Sequence, residues 1–175
     1  MTTIWITGGK GFIGRHLARL VSGNGDIVSG IGHGLWPAEE AGKWGYANWS
    51  NGEIDAAFAT ISQRRVDAVL VGTDGYLITR RDQFAALANR YRMPIMYPFP
   101  AFPAAGGLIS YGPSLTDGYR KAGIYVGRIL KGAKPADLPI LQPTKFDLVI
   151  NLKAAKAIGI TISPMMLARA NKVIE

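Results

Sequence analysis

The chain predicts an α/β fold, a three-layer, doubly wound and mainly parallel sheet of about five to six strands. Three observations carry this. Short apolar runs of strand length alternate with longer segments whose apolar residues recur at three and four positions. A glycine-rich turn, Thr7–Gly14, directly follows the first run and opens a helical pattern. No apolar run reaches the roughly 18 residues that a membrane span needs, so the runs belong to a buried sheet.

The elements follow in order. Thr3–Thr7 is β-rich, and the helix after the glycine turn carries Ile13, Leu17, Leu20 and Val21 on one face. Asn24-Gly25 is a turn signal, and Ile27–Ile31 reads as the second strand. Residues 32–52 hold Gly, Pro, Asn and three of the four tryptophans, with none after Trp49. That shift marks a seam near 50–53 within a single α/β domain spanning 1–175. Beyond it, Ile54, Phe58 and Ile61 line a helix, Ala68–Val71 is a buried strand, and Thr79 and Asp82 start a helix bearing Phe84, Leu87 and Tyr91. Pro94–Tyr97 is the next strand, followed by a Pro- and Phe-rich loop and the strand Leu108–Tyr111. Gly112-Pro113 turns the chain, and Ser114 is expected to cap a helix with Asp117 as a partial capping box. That helix repeats Leu115, Tyr119, Ala122, Val126 and Ile129 on one face, and Gly132 and Pro135 stop it. Its interior Gly118, Gly123 and Gly127 each cost about 1 kcal/mol relative to Ala, which a helix carries where another backbone comes close. A Pro-rich connector leads to the strand Phe146–Ile150 and to two helices expected at 152–158 and 164–174.

Composition excludes several classes. With no cysteine there is no disulfide, thiol nucleophile or Cys-based metal site, and His16 and His33 are too few and isolated for a His-rich one. Lys+Arg exceeds Asp+Glu by 20 to 12, but the basic residues are scattered, with arginine doublets only at Arg64-Arg65 and Arg80-Arg81. A solvated basic surface is expected, with no nucleic-acid partner. The opening MTTIWITGG lacks a basic segment and a long apolar one, so as written the chain is expected in the cytoplasm.

The run TGGKGFIG spaces Gly8, Gly11 and Gly14 three apart between a strand and a helix. In a dinucleotide site the first glycine makes the turn, the second admits the pyrophosphate and the third lets helix and strand pack. Thr3–Gly52 resembles the start of an NAD-dependent epimerase/dehydratase, an extended short-chain dehydrogenase/reductase. The resemblance implies NAD or NADP on Gly8, Gly11, Phe12, Ile13 and Gly14, with His33 beside the adenosine ribose. Two departures count against activity. The second strand ends in Ile31-Gly32-His33-Gly34 without the ribose carboxylate, and the family's Tyr-x-x-x-Lys pair is absent: Tyr119 is followed by Arg120-Lys121, and Tyr125 has Ile129 four residues on. The proton relay cannot be assembled, so no enzyme is expected and no cofactor is certain.

Glu53–Glu175 carries EIDAAFATISQRRVDAVLVGTDGY, TRRDQFAALANRYRMPIMY and AAGGLISYGPSLTDGYRKAGIYVGRILKG. This part resembles the C-terminal part of an ABC-transporter substrate-binding protein of the type I periplasmic-binding family. The two resemblances together imply a chimera of two doubly wound halves. They also imply a non-catalytic module for a small-molecule ligand, in a family that is periplasmic. The alternatives are an NAD(P)-binding remnant or a fusion product without a specific ligand. In open α/β sheets ligands bind beyond the carboxyl ends of the strands. Candidate ligand residues there are Asp74 for an ammonium, Tyr76 and Phe99 for stacking, and Tyr111 at the end of its strand. The helix 114–131 belongs to the other lobe in that family, so its apolar stripe is expected to pair two copies in a homodimer.

Overall fold

The computed structural model describes the strand backbone at 3–7, 27–32 and 47–48 and all residues from 54 to 175. The strands are β1 (Thr3–Thr7), β2 (Ile27–Gly32), β3 (Ala47–Asn48), β4 (Ala68–Leu70), β5 (Ile95–Tyr97), β6 (Ile109–Pro113), β7 (Phe146–Asn151) and β8 (Lys172–Ile174). The described helices are α1 (Ile54–Gln63), α2 (Gly75–Thr79), α3 (Arg81–Arg90), α4 (Ala101–Ala104), α5 (Leu115–Leu130), α6 (Leu152–Ile158) and α7 (Pro164–Arg169). The strands form one sheet in the order β3-β2-β1-β4-β5-β6-β7-β8. Every neighbouring pair is parallel except β6 and β7. β1 lies between β2 and β4, with Ile4 opposite both Val28 and Ala68. The doubly wound order expected of the five parallel strands is therefore present in one continuous ladder.

Register divides the core between the two faces. Met96 pairs with Ile109, and Ile109 with Ile150, so these share one face while Ile95 and Tyr97 point to the other. The Tyr97 face packs on α1 and α3. Ile54, Ala57, Phe58 and Ile61 recur at helical spacing and are all buried, as are Phe84, Ala85, Leu87 and Ala88. Phe58 meets Phe84 edge-on at 5.6 Å, Phe84 meets Phe102 at 6.3 Å, and Tyr97 stacks on Phe102 at 4.5 Å. Burying each of these rings stabilises the fold by about 1.5–3 kcal/mol. On the opposite face Ile109 and Ile150 pack with Ala155 and Ile158 of α6. Asn151 ties the layers together: its Oδ1 accepts from Ala154 N at 3.0 Å and caps α6, while its Nδ2 donates to Pro103 O at 2.9 Å. Gly159, at φ 80°, ends that helix in the left-handed conformation.

Four local expectations are corrected. Gly112-Pro113 is not a turn but the end of β6, paired with Asp147 and Phe146. An alanine Cβ at Gly112 would sit 2.1 Å from Pro98 O, so only glycine allows β6 to run this close to the end of β5. Ser114 occupies the N-cap of α5 but makes no side-chain cap; its N–H donates to Lys145 O at 2.9 Å and Asp117 pairs with Arg120 and Lys121, so the capping box does not form. The helix expected at 164–174 stops at Arg169, and Lys172–Ile174 becomes the edge strand β8. Asn171 makes the switch: its Oδ1 accepts from Leu148 N at 2.7 Å and its N–H donates to Leu148 O at 2.8 Å, so ladder bonds outweigh helix propensity. With the two-residue β3, this raises the strand count to eight.

Helix α5 stands apart from this core. Leu115, Tyr119, Val126 and Ile129 are exposed, Tyr119 at 77%. A Cβ added at Gly118, Gly123 or Gly127 would meet nothing within 4 Å. The close packing expected of these glycines is thus not made among the described residues. No described helix is long and apolar enough to cross a membrane.

Candidate functional site at the carboxyl edge of the sheet

The carboxyl ends of β4, β5 and β6 meet at one edge, where β7 begins in the reverse direction. After β4, Asp74 is the N-cap of α2. Its Oδ1 accepts from Tyr76 N at 2.8 Å and Leu77 N at 3.1 Å, which fixes the carboxylate at the mouth of the edge. Tyr76 is half-buried against the first core cluster, and the Arg80 guanidinium lies 5.5 Å from its ring centroid. The Thr79 hydroxyl donates to Tyr76 O at 2.7 Å and closes the short helix. Phe99 lies in the core, so its ring serves packing and not an open stacking surface. Tyr111, in contrast, is 53% exposed and stacks on Phe146 with centroids 5.6 Å apart and ring planes 18° from parallel.

Beside this edge, Asp117 is only 7% exposed although it carries a charge. It meets Lys121 Nζ at 2.8 Å and Arg120 Nη2 at 3.0 Å, with Lys145 Nζ at 3.9 Å. Hydrogen bonds from Lys121 first, and then from Arg120, hold its carboxyl below the ordinary carboxylate range. A groove of about 530 Å³ runs between α5 and the connector, lined by Leu115, Ala122, Ile129, Leu138 and Ile140 among others. The Tyr125 hydroxyl donates to Pro139 O and ties the connector to the helix.

The sequence places Asp74, Tyr76 and Tyr111 at this edge; in the structure Asp74 is the N-cap of α2, Tyr76 lies in the first turn of α2, and Tyr111 is the middle residue of β6. Phe146 was read only as the start of a strand. The signal that could have found it is the alternation of Phe146, Leu148 and Ile150 opposite Tyr111 and Ile109. Gly8, Gly11, Phe12, Ile13, Gly14 and His33 lie outside the described residues; the structure describes the strand that leads into the glycine run, ending at Thr7 in the middle of the sheet. Among the described residues no group of three His, Cys, Asp or Glu could hold a metal ion.

Comparison with known proteins agrees with this architecture. A structure of an ABC domain in complex with L-Trp from Streptococcus pneumoniae is 25% identical, with a TM-score of 0.74, over 99% of this chain and 55% of its own. A conserved domain protein from Vibrio cholerae O1 biovar El Tor is 22% identical with a TM-score of 0.73, over 98% and 54%. A ligand-free, open substrate-binding protein with adhesive properties from Clostridium difficile is 16% identical with a TM-score of 0.57, over 99% and 54%. The chain thus spans just over half the length of these structures, and the last two likenesses concern the fold alone. No curated protein sequence matches it. The family model described as ABC transporter substrate binding protein matches residues 49–174, and the chain belongs to that family.

Proposed function

We propose that this chain is a solute-binding module that captures a small zwitterionic molecule with an aromatic side chain at the carboxyl edge of its sheet, without catalysis. Family membership over residues 49–174 carries the reading. Support for the ligand class comes from the relative solved with L-Trp and from the residues at the edge. In this reading the Asp74 carboxylate receives the ligand ammonium. Its Oδ1 is shared with two backbone N–H groups, and a carboxylate has about four lone-pair directions in all. Tyr76 and Tyr111 take the apolar part of the ligand. Calorimetric titration with L-tryptophan, L-tyrosine, L-phenylalanine and L-leucine tests it, together with the melting shift that any native-state ligand produces. Saturable binding of an aromatic amino acid, weakened in Asp74→Asn, is expected. Neither heat nor melting shift at millimolar ligand would sink the reading.

The exposed stripe on α5 favours a homodimer formed through that helix. Tyr119→Asp should dissociate it, and sedimentation as a monomer at tens of micromolar, unchanged by the substitution, would remove the idea. A second reading keeps the chain a chimera whose glycine run binds NAD or NADP. It is favoured by the position of Gly8 immediately after the central strand β1. Titration of NADH and NADPH by fluorescence, with Gly11→Val as the comparison, decides it: absence of a saturable signal at millimolar cofactor eliminates the site.

A further inference from the structure

The geometry points to Tyr111 and Phe146 as a paired aromatic platform that receives the flat ring of the ligand, with Phe146 a specificity-determining residue. This rests on the proposed capture of an aromatic solute. On β6, Ile109, Tyr111 and Pro113 share one face of the sheet, and their partners on β7, Ile150, Leu148 and Phe146, lie on the same face. Along that row exposure rises from 8% at Ile109 and 0% at Ile150 to 53% at Tyr111 and 43% at Phe146. The row leaves the core and emerges at the carboxyl edge as two stacked rings with a large open surface. Met96, in register with Ile109 and on the same face, is a third exposed apolar side chain beside it. Thioether sulfur and aromatic edges make favourable contacts with a ring.

Stacking in this manner is attractive because ring faces and edges carry opposite partial charge. The platform is also held in place. The antiparallel β6–β7 ladder fixes both backbones, and Gly112 locks β6 against Pro98. Two rings ordered before binding lose little rotamer freedom when a third is added.

The test compares Tyr111→Ala, Phe146→Ala and the off-site control Met165→Ala, with L-tryptophan, L-leucine and indole as probes. Both platform side chains are about half exposed, so the fold is expected to persist, and thermal melts check this. Each platform substitution should weaken L-tryptophan binding about threefold to tenfold, the range that one aromatic pair supplies. L-leucine binding should change less, and Met165→Ala should change neither. Separately, indole added to the unaltered chain should shift the ring proton resonances of Tyr111 and Phe146. If L-tryptophan binds but is indifferent to both substitutions, the platform is overturned and solute capture stands. If L-tryptophan fails to bind yet indole shifts both rings, the platform stands and the amino-acid reading falls. If indole leaves both rings unshifted, the platform is wrong whatever else binds.

Discussion

Replacing Gly112 by Ala tests the link between the fold and the site. The added Cβ would lie 2.1 Å from Pro98 O and 3.1 Å from Pro98 C. An unstrained carbon–oxygen contact is about 3.3–3.6 Å, so the backbones must part by roughly 1 Å. Neither contacting atom is the end of a flexible side chain that could swing away; both belong to the peptide chain. Overpacking of this kind costs about 1–3 kcal/mol, and a weakened ladder bond adds about 1 kcal/mol. The β5–β6 ladder has only two register pairs, Met96 with Ile109 and Tyr97 with Ser110, so strain is not shared over a long strand. A loss of about 2–4 kcal/mol is expected, equivalent to a melting temperature lower by about 5–15 °C for a chain of this size. Urea unfolding and calorimetry both measure it. The urea slope should be unchanged, because the unfolded state is the same. Melting within about 1 °C of the parent chain would refute the claim that Pro98 and Gly112 are in forced contact.

Other substitutions probe different parts of the molecule. Gly118→Ala, Gly123→Ala and Gly127→Ala in α5 each place a Cβ in open space, so each should stabilise the monomer by about 0.5–1 kcal/mol in urea unfolding. Asp117 has a lowered native pKa, so its contribution is complete above the unfolded value of about 4 and is lost as pH falls from there through the lower native value. Acid titration of Asp117→Asn should show a shallower loss of stability across that window. Burial pushes the Tyr97 phenol above its ordinary value of about 10. The native state then holds its proton when the unfolded state has released it, so stability falls as pH rises past about 10. Tyr97→Phe should remove that alkaline fall. At pH 7 it should cost little, because the buried hydroxyl has no hydrogen-bond partner among the described residues.

The order of elements was legible because apolar runs and helical spacing are local patterns. Ala68–Val71 and Pro94–Tyr97 declare themselves as buried strands, and Ile54, Phe58 and Ile61 declare a helix face. The glycine run after Thr7 and the family resemblance from Glu53 onward were equally open to reading, and the family model covers that second stretch. Of the candidate site, Asp74 was legible as a residue at a strand's carboxyl end, since strand ends follow from strand positions. Which two backbone N–H groups its carboxylate engages was decided only by where α2 begins.

Long-range pairing was decided elsewhere. Lys172–Ile174 has no strand signal of its own and becomes β8 only because β7 offers an unpaired edge and Asn171 bonds Leu148. Phe99 and Tyr111 are alike in sequence, each an aromatic at the end of a strand. One is drawn into the core by α1, α3 and α4, while the other is left open where β6 meets β7. The stacking of Tyr111 on Phe146 joins residues 35 positions apart and exists only through the antiparallel register of β6 and β7. A side chain's type and period are written in its own stretch of chain. Whether that side chain is covered depends on which distant backbone pairs beside it, and that is a property of the assembled sheet.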